Sequence, residues 1–283
     1  MKCKCSKPAV SSKYCKDHFI EYFESKVKQT IKDHKMLSKK DKVAVGCSGG
    51  KDSTSLLYIL HKLGYNVTAI AIDEGIKGYR DKSLIHLQNF CKEHDIPLVI
   101  HSFKDNFGKA LDQMNTKNVG GNPCTTCGTF RRYLLNKETA NYNKIAVGHN
   151  LDDEAQSILM NLFKGQEFML NRIGPITEEI KNFTVRIKPL YFLKEKEVAT
   201  YAFLKGFLDK YEECPNAKLA YRIQLRDLLN QYEQDNPGTK EAILTKFLKV
   251  KKQQKTSQIK QCKECKQPSS RDICKACEIK PLV

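Results

Sequence analysis

The sequence predicts an α/β fold, a doubly wound parallel sheet, with a small zinc-binding module at each end of the chain. Short apolar runs typical of buried strands alternate with segments of helical periodicity over most of the chain. The 12 cysteines are grouped, and two of the groups are terminal. A chain of 283 residues has room for one core domain of ordinary size and small appendages.

We divide the chain into residues 1–35, an N-terminal zinc module and helix; residues 36–250, the core domain; and residues 251–283, a C-terminal zinc module. The core is predicted to contain strands over residues 43–46, 67–72, 98–101 and 145–148, and helices over residues 53–63, 81–94 and 152–164. Residues 195–250 are predicted to be mostly helical, and residues 249–260 form a lysine- and glutamine-rich link. The positions predicted to face the core are Leu84, Ile85, Leu87 and Phe90, and Ile158, Leu159, Leu162 and Phe163.

The composition restricts the compartment and the partners. No window approaches eighteen apolar residues, so we expect no membrane span and no signal peptide, and a cytoplasmic protein. In a cytoplasmic chain, many cysteines favour metal ligation over disulfides. Residues 1–42 carry 12 lysines against 5 acidic residues, and residues 240–283 carry 12 basic against 4 acidic residues. This terminal excess favours a nucleic acid as partner.

The segment after the first predicted strand indicates an anion site. It reads Ser48-Gly49-Gly50-Lys51-Asp52-Ser53, a glycine turn that leads into an apolar helix, so backbone N–H groups and the helix dipole are directed at a ligand. It is not a Walker loop, because only three residues separate Gly46 from Gly50 and an aspartate follows the lysine. The loops at residues 73–75 and 148–150 are predicted at the same edge of the sheet.

The terminal cysteines have spacings typical of structural zinc sites, in which four protein ligands leave no open position. The C-terminal ligands are two CxxC pairs, Cys262, Cys265, Cys274 and Cys277. The N-terminal ligands are Cys3, Cys5, Cys15 and His18.

A third group consists of Cys124 and Cys127, at the start of a predicted helix, and Cys214 in a Glu-Glu-Cys-Pro sequence. Thiols at a helix start beside arginines are expected to be acidic and reactive. Three cysteines fit an iron–sulfur cubane with one open iron. A CxxC redox pair, or zinc with a ligand from outside, fits the same residues.

The motifs together resemble the TtuA/NcsA family of tRNA 2-thiouridine synthetases over essentially the whole chain. They are SGGKDS at residues 48–53, which resembles the PP-loop of ATP pyrophosphatase-type enzymes, CxxCGxxRRxLLN at residues 124–136, GHNLDDEA at residues 148–155, the later EECP, and the two terminal modules. The resemblance implies a PP-loop fold that splits ATP to AMP and diphosphate, adenylates the C2 oxygen of a tRNA uridine and replaces it with sulfur.

The resemblance also implies site residues. Cys124, Cys127 and Cys214 would hold a [4Fe-4S] cluster whose open iron binds the incoming sulfur, and either Asp52 or Asp153 would hold Mg²⁺. The implied catalytic residues are Asp153, Arg131, Lys51 and Asp52. The implied ATP-binding residues are Cys47, Ser48, Gly49, Gly50, Lys51, Asp52, Ser53, Ile72 and Gly148. Arg131 stands where some TtuA members have a lysine that contacts the nucleotide, which keeps the charge and changes the geometry.

The expected partners are tRNA and a sulfur donor, which is sulfide, a persulfide or a thiocarboxylated ubiquitin-like protein. Tyr221, Arg222 and Arg226 are candidate RNA contacts, with an ordinary amphipathic helix as the alternative. A homodimer is expected from the resemblance, with the apolar face of Phe19, Tyr22 and Phe23 as a candidate contact and core packing as the alternative explanation.

Three hypotheses follow. The first is cluster-dependent thiolation, at the wobble uridine in preference to the thymine loop. The second is the same thiolation through a persulfide and a disulfide on Cys124 and Cys214, without a cluster. The third is a non-catalytic zinc protein that binds RNA and retains a nucleotide loop.

Overall fold

The computed structural model describes residues 2–11, 13–119, 122–180, 183–207, 213–251 and 259–283. The predicted link over residues 249–260 lies mostly outside these ranges, as do Gly120 and Gly121 before the central cysteine pair and Glu212 before Cys214.

A parallel sheet forms the centre of the molecule. Its strands are β1 Lys42–Gly46, β2 Asn66–Asp73, β3 Leu98–Ser102, β4 Lys144–Val147 and β5 Val185–Ile187, in the order β3-β2-β1-β4-β5. All four pairings are parallel, so the predicted fold class is confirmed. Because β1 lies between β2 and β4, the loops that follow these three strands meet at one edge of the sheet. The sequence did not predict β5, since three residues are too few to show a periodicity.

The helices agree with the predicted alternation to within a few residues. They are α1 Lys16–Asp33, α2 Lys51–Lys62, α3 Arg80–Glu93, α4 Phe103–Phe107, α5 Pro123–Glu138, α6 Leu151–Phe163, α7 Glu167–Leu170, α8 Glu195–Leu204, α9 Tyr221–Asp235, α10 Thr239–Val250 and α11 Lys275–Ile279. Short 3-10 turns cover Leu111–Gln113, Thr116–Val119, Ala217–Leu219 and Lys280–Leu282. Two further strands, β6 Lys260–Gln261 and β7 Pro268–Ser269, form an antiparallel pair. None of the described helices has the length and apolarity that a membrane span requires.

Helix α1 packs into the main core. Phe19 and Phe23 are fully buried, and Phe23 stacks on Tyr201 of α8 with ring centroids 4.2 Å apart. The hydroxyl of Tyr22 donates to Glu197 at 2.7 Å. The apolar face of α1 is therefore taken up by the chain's own core, and its proposed role as a dimer contact is wrong.

Some apolar positions predicted to face the core are exposed. Ile85 of α3 is 57% exposed, whereas Leu84, Leu87 and Phe90 on the same helix are buried. Leu162 and Phe163 are 53% and 63% exposed, because they lie in the last turn of α6, whereas Ile158 in its middle is buried. Periodicity therefore identified the centre of each buried face and overestimated its width.

The C-terminal module packs against the core domain. Ile279 and the ligand candidate Cys262 are fully buried in the same apolar cluster as Phe130 and Leu134 of α5. The ammonium of Lys109 donates to the carbonyl of Val283 at 2.9 Å. The module therefore has a fixed position beside α5.

Candidate functional site

The loop between β1 and α2 is closed by its own serines. The hydroxyl of Ser53 accepts from the N–H of Ser48 at 3.2 Å and donates to the carbonyl of Gly50 at 3.1 Å. The N–H of Gly50 donates to the Ser48 hydroxyl at 3.3 Å. The first N–H groups of a helix have no partner within it, so the start of α2 at Lys51 can bind an anion.

Two glycines let backbone segments approach this loop. Gly49 has φ +83°, and a Cβ there would lie 2.4 Å from the carbonyl oxygen of Ser83. A Cβ on Gly148, at the end of β4, would lie 2.9 Å from the carbonyl carbon of Asp52. Cys47, a predicted ATP-binding residue, is buried, and burial raises the pKa of its thiol. Only its backbone is therefore available to a nucleotide.

Lys51 lies between two carboxylates at the start of α2. Its ammonium is 3.0 Å from Asp52 Oδ2 and 3.1 Å from Glu195 Oε1, at the first residue of α8. Burial opposes the charged form, yet the two carboxylates raise the pKa of Lys51. Lys51 therefore keeps its charge in the site, as a phosphate ligand must.

Asn150 joins the two predicted catalytic aspartates. Its side-chain oxygen accepts from the N–H of Asp153 at 3.1 Å, and its own N–H donates to Asp153 Oδ2 at 3.0 Å, which caps α6. Its amide nitrogen donates to Asp52 Oδ1 at 3.1 Å. The sequence analysis did not single out Asn150, although an asparagine three residues before an acid is a capping signal.

Arg222 lies against Asp153. Its Nη2 is 2.7 Å from Asp153 Oδ1 and its Nε donates to Gln156 at 2.7 Å. Burial raises the pKa of Asp153 to about 6, against the lowering effect of the Arg222 charge. Arg222 therefore contacts Asp153 at the predicted site, and its contact with RNA stays a prediction.

The neighbouring Asp152 contacts two other helices. Its Oδ1 accepts from the buried ammonium of Lys240 on α10, and its Oδ2 accepts from the N–H of Glu195 at 2.8 Å. Both oxygens are thus engaged in fixing α8 and α10 to α6. Asp153 differs in its exposure, since its side chain is 29% exposed and that of Asp152 is 9% exposed.

A buried arginine organises the loop after β2. Arg80 donates through Nε to the carbonyl of Ile72 at 2.9 Å and through Nη1 to the carbonyl of Ser48 at 2.5 Å. It also pairs with Glu74 at 2.9 Å, and the second oxygen of Glu74 lies 3.6 Å from Arg131 Nη1. Ile72, a predicted ATP-binding residue, thus lies near the edge of the sheet where the nucleotide is predicted to bind. Glu74 lies in the loop at residues 73–75 that was predicted at this edge, whereas Arg80 was not predicted, because only the fold brings it to the loop.

Cys124 and Cys127 lie in the first turn of α5, and Cys214 lies across from them. The thiol of Cys124 is 3.2 Å from the carbonyl of Asn216, two residues beyond Cys214. The three cysteines are close enough for the charge of Cys214 to act on both other thiols. The sulfur atoms of these three cysteines do not all lie within 4.8 Å of one another, whereas the ligand atoms of each terminal group do. Three partly exposed thiols at this wider spacing fit a cluster better than a single ion.

Burial dominates the acidity of these thiols. It raises the pKa of Cys124, and it raises the pKa of Cys127 to about 12 although the Arg131 charge lowers it. The expectation of acidic thiols from the helix start is therefore wrong for the protein without a bound group. Deprotonation of Cys127 would need a cationic group bound beside it.

The two terminal groups each bring four ligand atoms within 4.8 Å of one another: Cys3, Cys5, Cys15 and His18, and Cys262, Cys265, Cys274 and Cys277. The Cys3 thiol lies 3.1 Å from Nδ1 of His18. The N–H groups of Cys5 and Cys15 lower the pKa of Cys3 to about 6. Burial raises the pKa of Cys262, but the N–H groups of Cys265 and Cys274 outweigh it and lower this pKa to about 6. Each group therefore brings four potential ligand atoms together and could hold a metal ion.

The remaining RNA candidates lie on α9, outside the loops described above. Tyr221 is 44% exposed, and the ammonium of Lys164 lies 4.3 Å from its ring centroid. Arg226 pairs with Glu213 at 3.3 Å and with Asp227 at 3.2 Å. Their contact with RNA stays a prediction.

The geometry defines a class of protein: a parallel α/β domain with an anion-binding loop after β1 and a three-cysteine group that Arg131 links to Glu74 in the loop after β2. The family model of the PP-loop domain matches residues 20–232. The chain therefore belongs to the PP-loop family.

Similar proteins indicate the branch of the PP-loop family to which the chain belongs. The chain is 40% identical to the tRNA-5-methyluridine(54) 2-sulfurtransferase of Pyrococcus horikoshii, over 98% of this chain and 93% of the relative. It is 36% identical to cytoplasmic tRNA 2-thiolation protein 1 of Xenopus laevis, over 96% and 82%. The solved U34-tRNA thiolase NcsA of Methanococcus maripaludis, described with its [4Fe-4S] cluster, matches with TM-score 0.86 and 32% identity over 100% and 96%. The chain thus belongs to the tRNA 2-thiolation branch of the PP-loop proteins, as the resemblance implied.

Proposed function

We propose that this chain is an ATP-dependent tRNA 2-thiouridine synthetase. The observation that carries the proposal is the PP-loop together with the group of three cysteines. Arg131 connects them, since its guanidinium approaches Glu74 next to the loop and its charge acts on Cys127, one turn earlier on α5. The names of the relatives and of the NcsA structure support the same reaction.

The proposed reaction has two halves. The C2 oxygen of uridine attacks the α-phosphorus of ATP, an O–P bond forms, and diphosphate leaves. Hydrosulfide then adds at C2 and the C2–O bond breaks, so AMP leaves with the original oxygen and sulfur stays on the base. Adenylation is needed because the C2 oxygen alone is a poor leaving group.

The PP-loop would stabilise the charge that develops on the diphosphate. The N–H groups at the start of α2 would bind it, and Lys51 would turn from Asp52 and Glu195 towards it. This movement would free Oδ2 of Asp52, which we assign as the ligand of a Mg²⁺ bound to the phosphates.

Asp153 is proposed as the proton acceptor. Uridine must lose its N3 proton as the C2 oxygen attacks, and a carboxylate whose pKa is raised to about 6 is a better base than an ordinary aspartate and is still ionised at neutral pH. Arg131 would neutralise charge between the nucleotide and the cysteines.

We assign Cys124, Cys127 and Cys214 as ligands of a [4Fe-4S] cluster. Three thiolates leave one iron open, and the bound cluster would supply the sulfur nucleophile there. The two terminal groups are proposed to hold one structural Zn²⁺ each. The sulfur donor is proposed to be sulfide, a persulfide or a thiocarboxylated ubiquitin-like protein, and the reaction is placed in the cytoplasm.

The wobble uridine is the proposed target, supported by the match of the U34-tRNA thiolase to the whole chain. The second candidate is uridine 54, supported by the 40% identity to the Pyrococcus horikoshii enzyme. Mass spectrometry of nuclease fragments of the product tRNA distinguishes the two, because each uridine falls in a different fragment.

The test is an anaerobic reaction of the reconstituted protein with unmodified tRNA, ATP, Mg²⁺ and sulfide. We expect 2-thiouridine and one AMP for each thiouridine, and loss of both with Lys51→Met. Thiouridine formed by iron-free protein would contradict the cluster assignment, and the persulfide route would be favoured if iron-free protein makes thiouridine only when a persulfide replaces sulfide as the donor. Absence of tRNA-dependent AMP from the wild type would overturn the proposed function in favour of a non-catalytic RNA-binding protein.

A further inference from the structure

A cleft separates α5 from the C-terminal module. Its volume is about 240 Å³, and it is lined on the α5 side by Thr129, Arg132, Tyr133 and Asn136 and on the module side by Gln267, Pro268, Cys274, Lys275 and Ala276. Its polar lining differs from the apolar contact that joins the same two parts around Ile279 and Phe130. The cleft is therefore a place for a polar ligand.

The cleft has positive charge without a matching acid. Arg132 is exposed within it and forms no ion pair or hydrogen bond with any residue in the described part of the chain. Behind it, Arg186 of β5 donates through Nη2 to Asn136 at 3.1 Å, and its Nε is buried with no hydrogen-bond partner. A buried N–H without a hydrogen-bond partner costs free energy unless a ligand or a water molecule reaches it.

The two arginines also repel one another. Burial lowers the pKa of Arg186, and the positive charge of Arg132 lowers it further. Lys275 at the rim is partly neutralised by Glu278, 2.8 Å away. An anion bound beside Arg132 would relieve this repulsion.

The cleft lies beside the proposed reaction site. Arg131 approaches Glu74 on the nucleotide side of α5, whereas the next residue, Arg132, lines the cleft. The charge of Arg186 also acts on His149, in the loop after β4 that contacts the PP-loop helix. The cleft and the proposed reaction site therefore both adjoin α5.

We propose that this cleft binds a backbone phosphate of the substrate RNA, next to the nucleotide that enters the reaction site, with Arg132 as its ligand, Arg186 behind the lining residue Asn136, and Lys275 at its rim. The inference rests on the proposed function, since it deepens that function's tRNA partner. A phosphodiester fits because it brings one anion with two acceptor oxygens to the Arg132 guanidinium. ATP offers the same chemistry, but its expected site is on the other side of α5.

The test measures binding of unmodified tRNA to the full-length protein without ATP or sulfide, over a range of salt concentrations. Arg132→Gln is the main variant, because its exposed side chain can be lost without a core defect, and Lys275→Gln is the second. Lys92→Gln is the control, since this exposed lysine near the end of α3 lies at the opposite edge of the sheet. The Kd for ATP and the iron content are measured for each.

Arg132→Gln is expected to raise the Kd for tRNA about tenfold and to reduce the magnitude of the salt slope by about 0.7–1. Lys275→Gln has a smaller effect, and Lys92→Gln, the Kd for ATP and the iron content are unchanged. In a phosphate-ethylation interference experiment, ethylation of one phosphate beside the target uridine should weaken tRNA binding by the wild type. It should not weaken binding by Arg132→Gln.

Three results would overturn the inference: unchanged tRNA binding by Arg132→Gln, an equal loss with Lys92→Gln, or a matching loss of ATP affinity, which would make the cleft part of the ATP site. Because binding is measured without turnover, the outcomes are separable. Wild-type protein that binds tRNA through Arg132 but makes no thiouridine contradicts the proposed reaction and leaves the cleft assignment standing.

Discussion

Arg222 Nη2 lies 2.7 Å from Asp153 Oδ1, and the same nitrogen donates to the backbone carbonyl of Asp153 at 3.0 Å. Arg222 is in the first turn of α9, which follows two hydrogen-bonded turns that begin at Cys214: the N–H of Ala217 donates to the Cys214 carbonyl at 2.8 Å, and the N–H of Ala220 to that of Ala217 at 2.9 Å. The orientation of the proposed base therefore depends on the segment that carries one proposed cluster ligand.

Arg222→Met is expected to shift the pH dependence of AMP formation. Asp153 must be ionised to act as a base, so wild-type activity should fall as the pH drops through about 6. The Arg222 charge lowers the pKa of Asp153, so its removal should raise that pKa. The pH at which kcat/KM falls on the acid side should therefore increase by about 1 unit or more. The measurement is tRNA-dependent AMP release between pH 5 and 9.

The matched control is Arg226→Met, which removes the same charge one turn later on α9, where the partners are Glu213 and Asp227. Its acid limb should coincide with that of the wild type, and Arg222→Lys should recover part of the wild-type profile. If Arg222→Met lowers activity equally at every pH, Arg222 has only a structural role.

Cys214→Ala is expected to remove the iron and leave the zinc. Two ligands cannot hold the cubane that three hold, so anaerobically prepared protein should lose its brown colour, its visible absorption and its thiolation, while zinc per chain stays constant. Cys91→Ala is the control, because Cys91 is buried in the main core. Full iron content and thiolation in Cys214→Ala would refute the cluster assignment.

Substitutions of the two adjacent aspartates should have different effects: that of Asp152 on stability and that of Asp153 on activity. Asp152→Ala leaves the buried Lys240 ammonium without its carboxylate and should destabilise the protein by about 3–5 kcal/mol in urea unfolding. Asp153→Asn should change stability far less and abolish AMP release. Lys240→Met combined with Asp152→Ala should recover part of the loss, because no unpaired charge remains. The assignment fails if Asp152→Ala is stable and inactive while Asp153→Asn is active.

Local features of the fold and the site were predictable from sequence. The PP-loop and its strand and helix are contiguous, so residues 48–53 sufficed to place the anion site. The capping of α6 by Asn150 follows from the same few residues that carry Asp153.

Non-local features were not predictable. The ion pair between Arg222 and Asp153 was not predicted, because the two residues are 69 positions apart in the chain. Glu195 reaches Lys51 from 144 residues away. Charged side chains of this kind have no periodicity, so only the fold shows which of them face solvent. The acidity of Cys127 was misjudged for a related reason, since a helix start is visible in the sequence and burial is not.

The terminal sites should each account for one zinc ion. Metal analysis of the wild type is expected to give two zinc per chain, and Cys5→Ser and Cys277→Ser are each expected to give one, because a structural site does not keep its metal with three ligands. Cys277→Ser should also weaken tRNA binding, since its module forms one wall of the cleft that holds Arg132. Cys91→Ser controls for the loss of a thiol alone. Two zinc ions retained in Cys277→Ser, with unchanged tRNA affinity, would contradict both the site and its role in holding that wall.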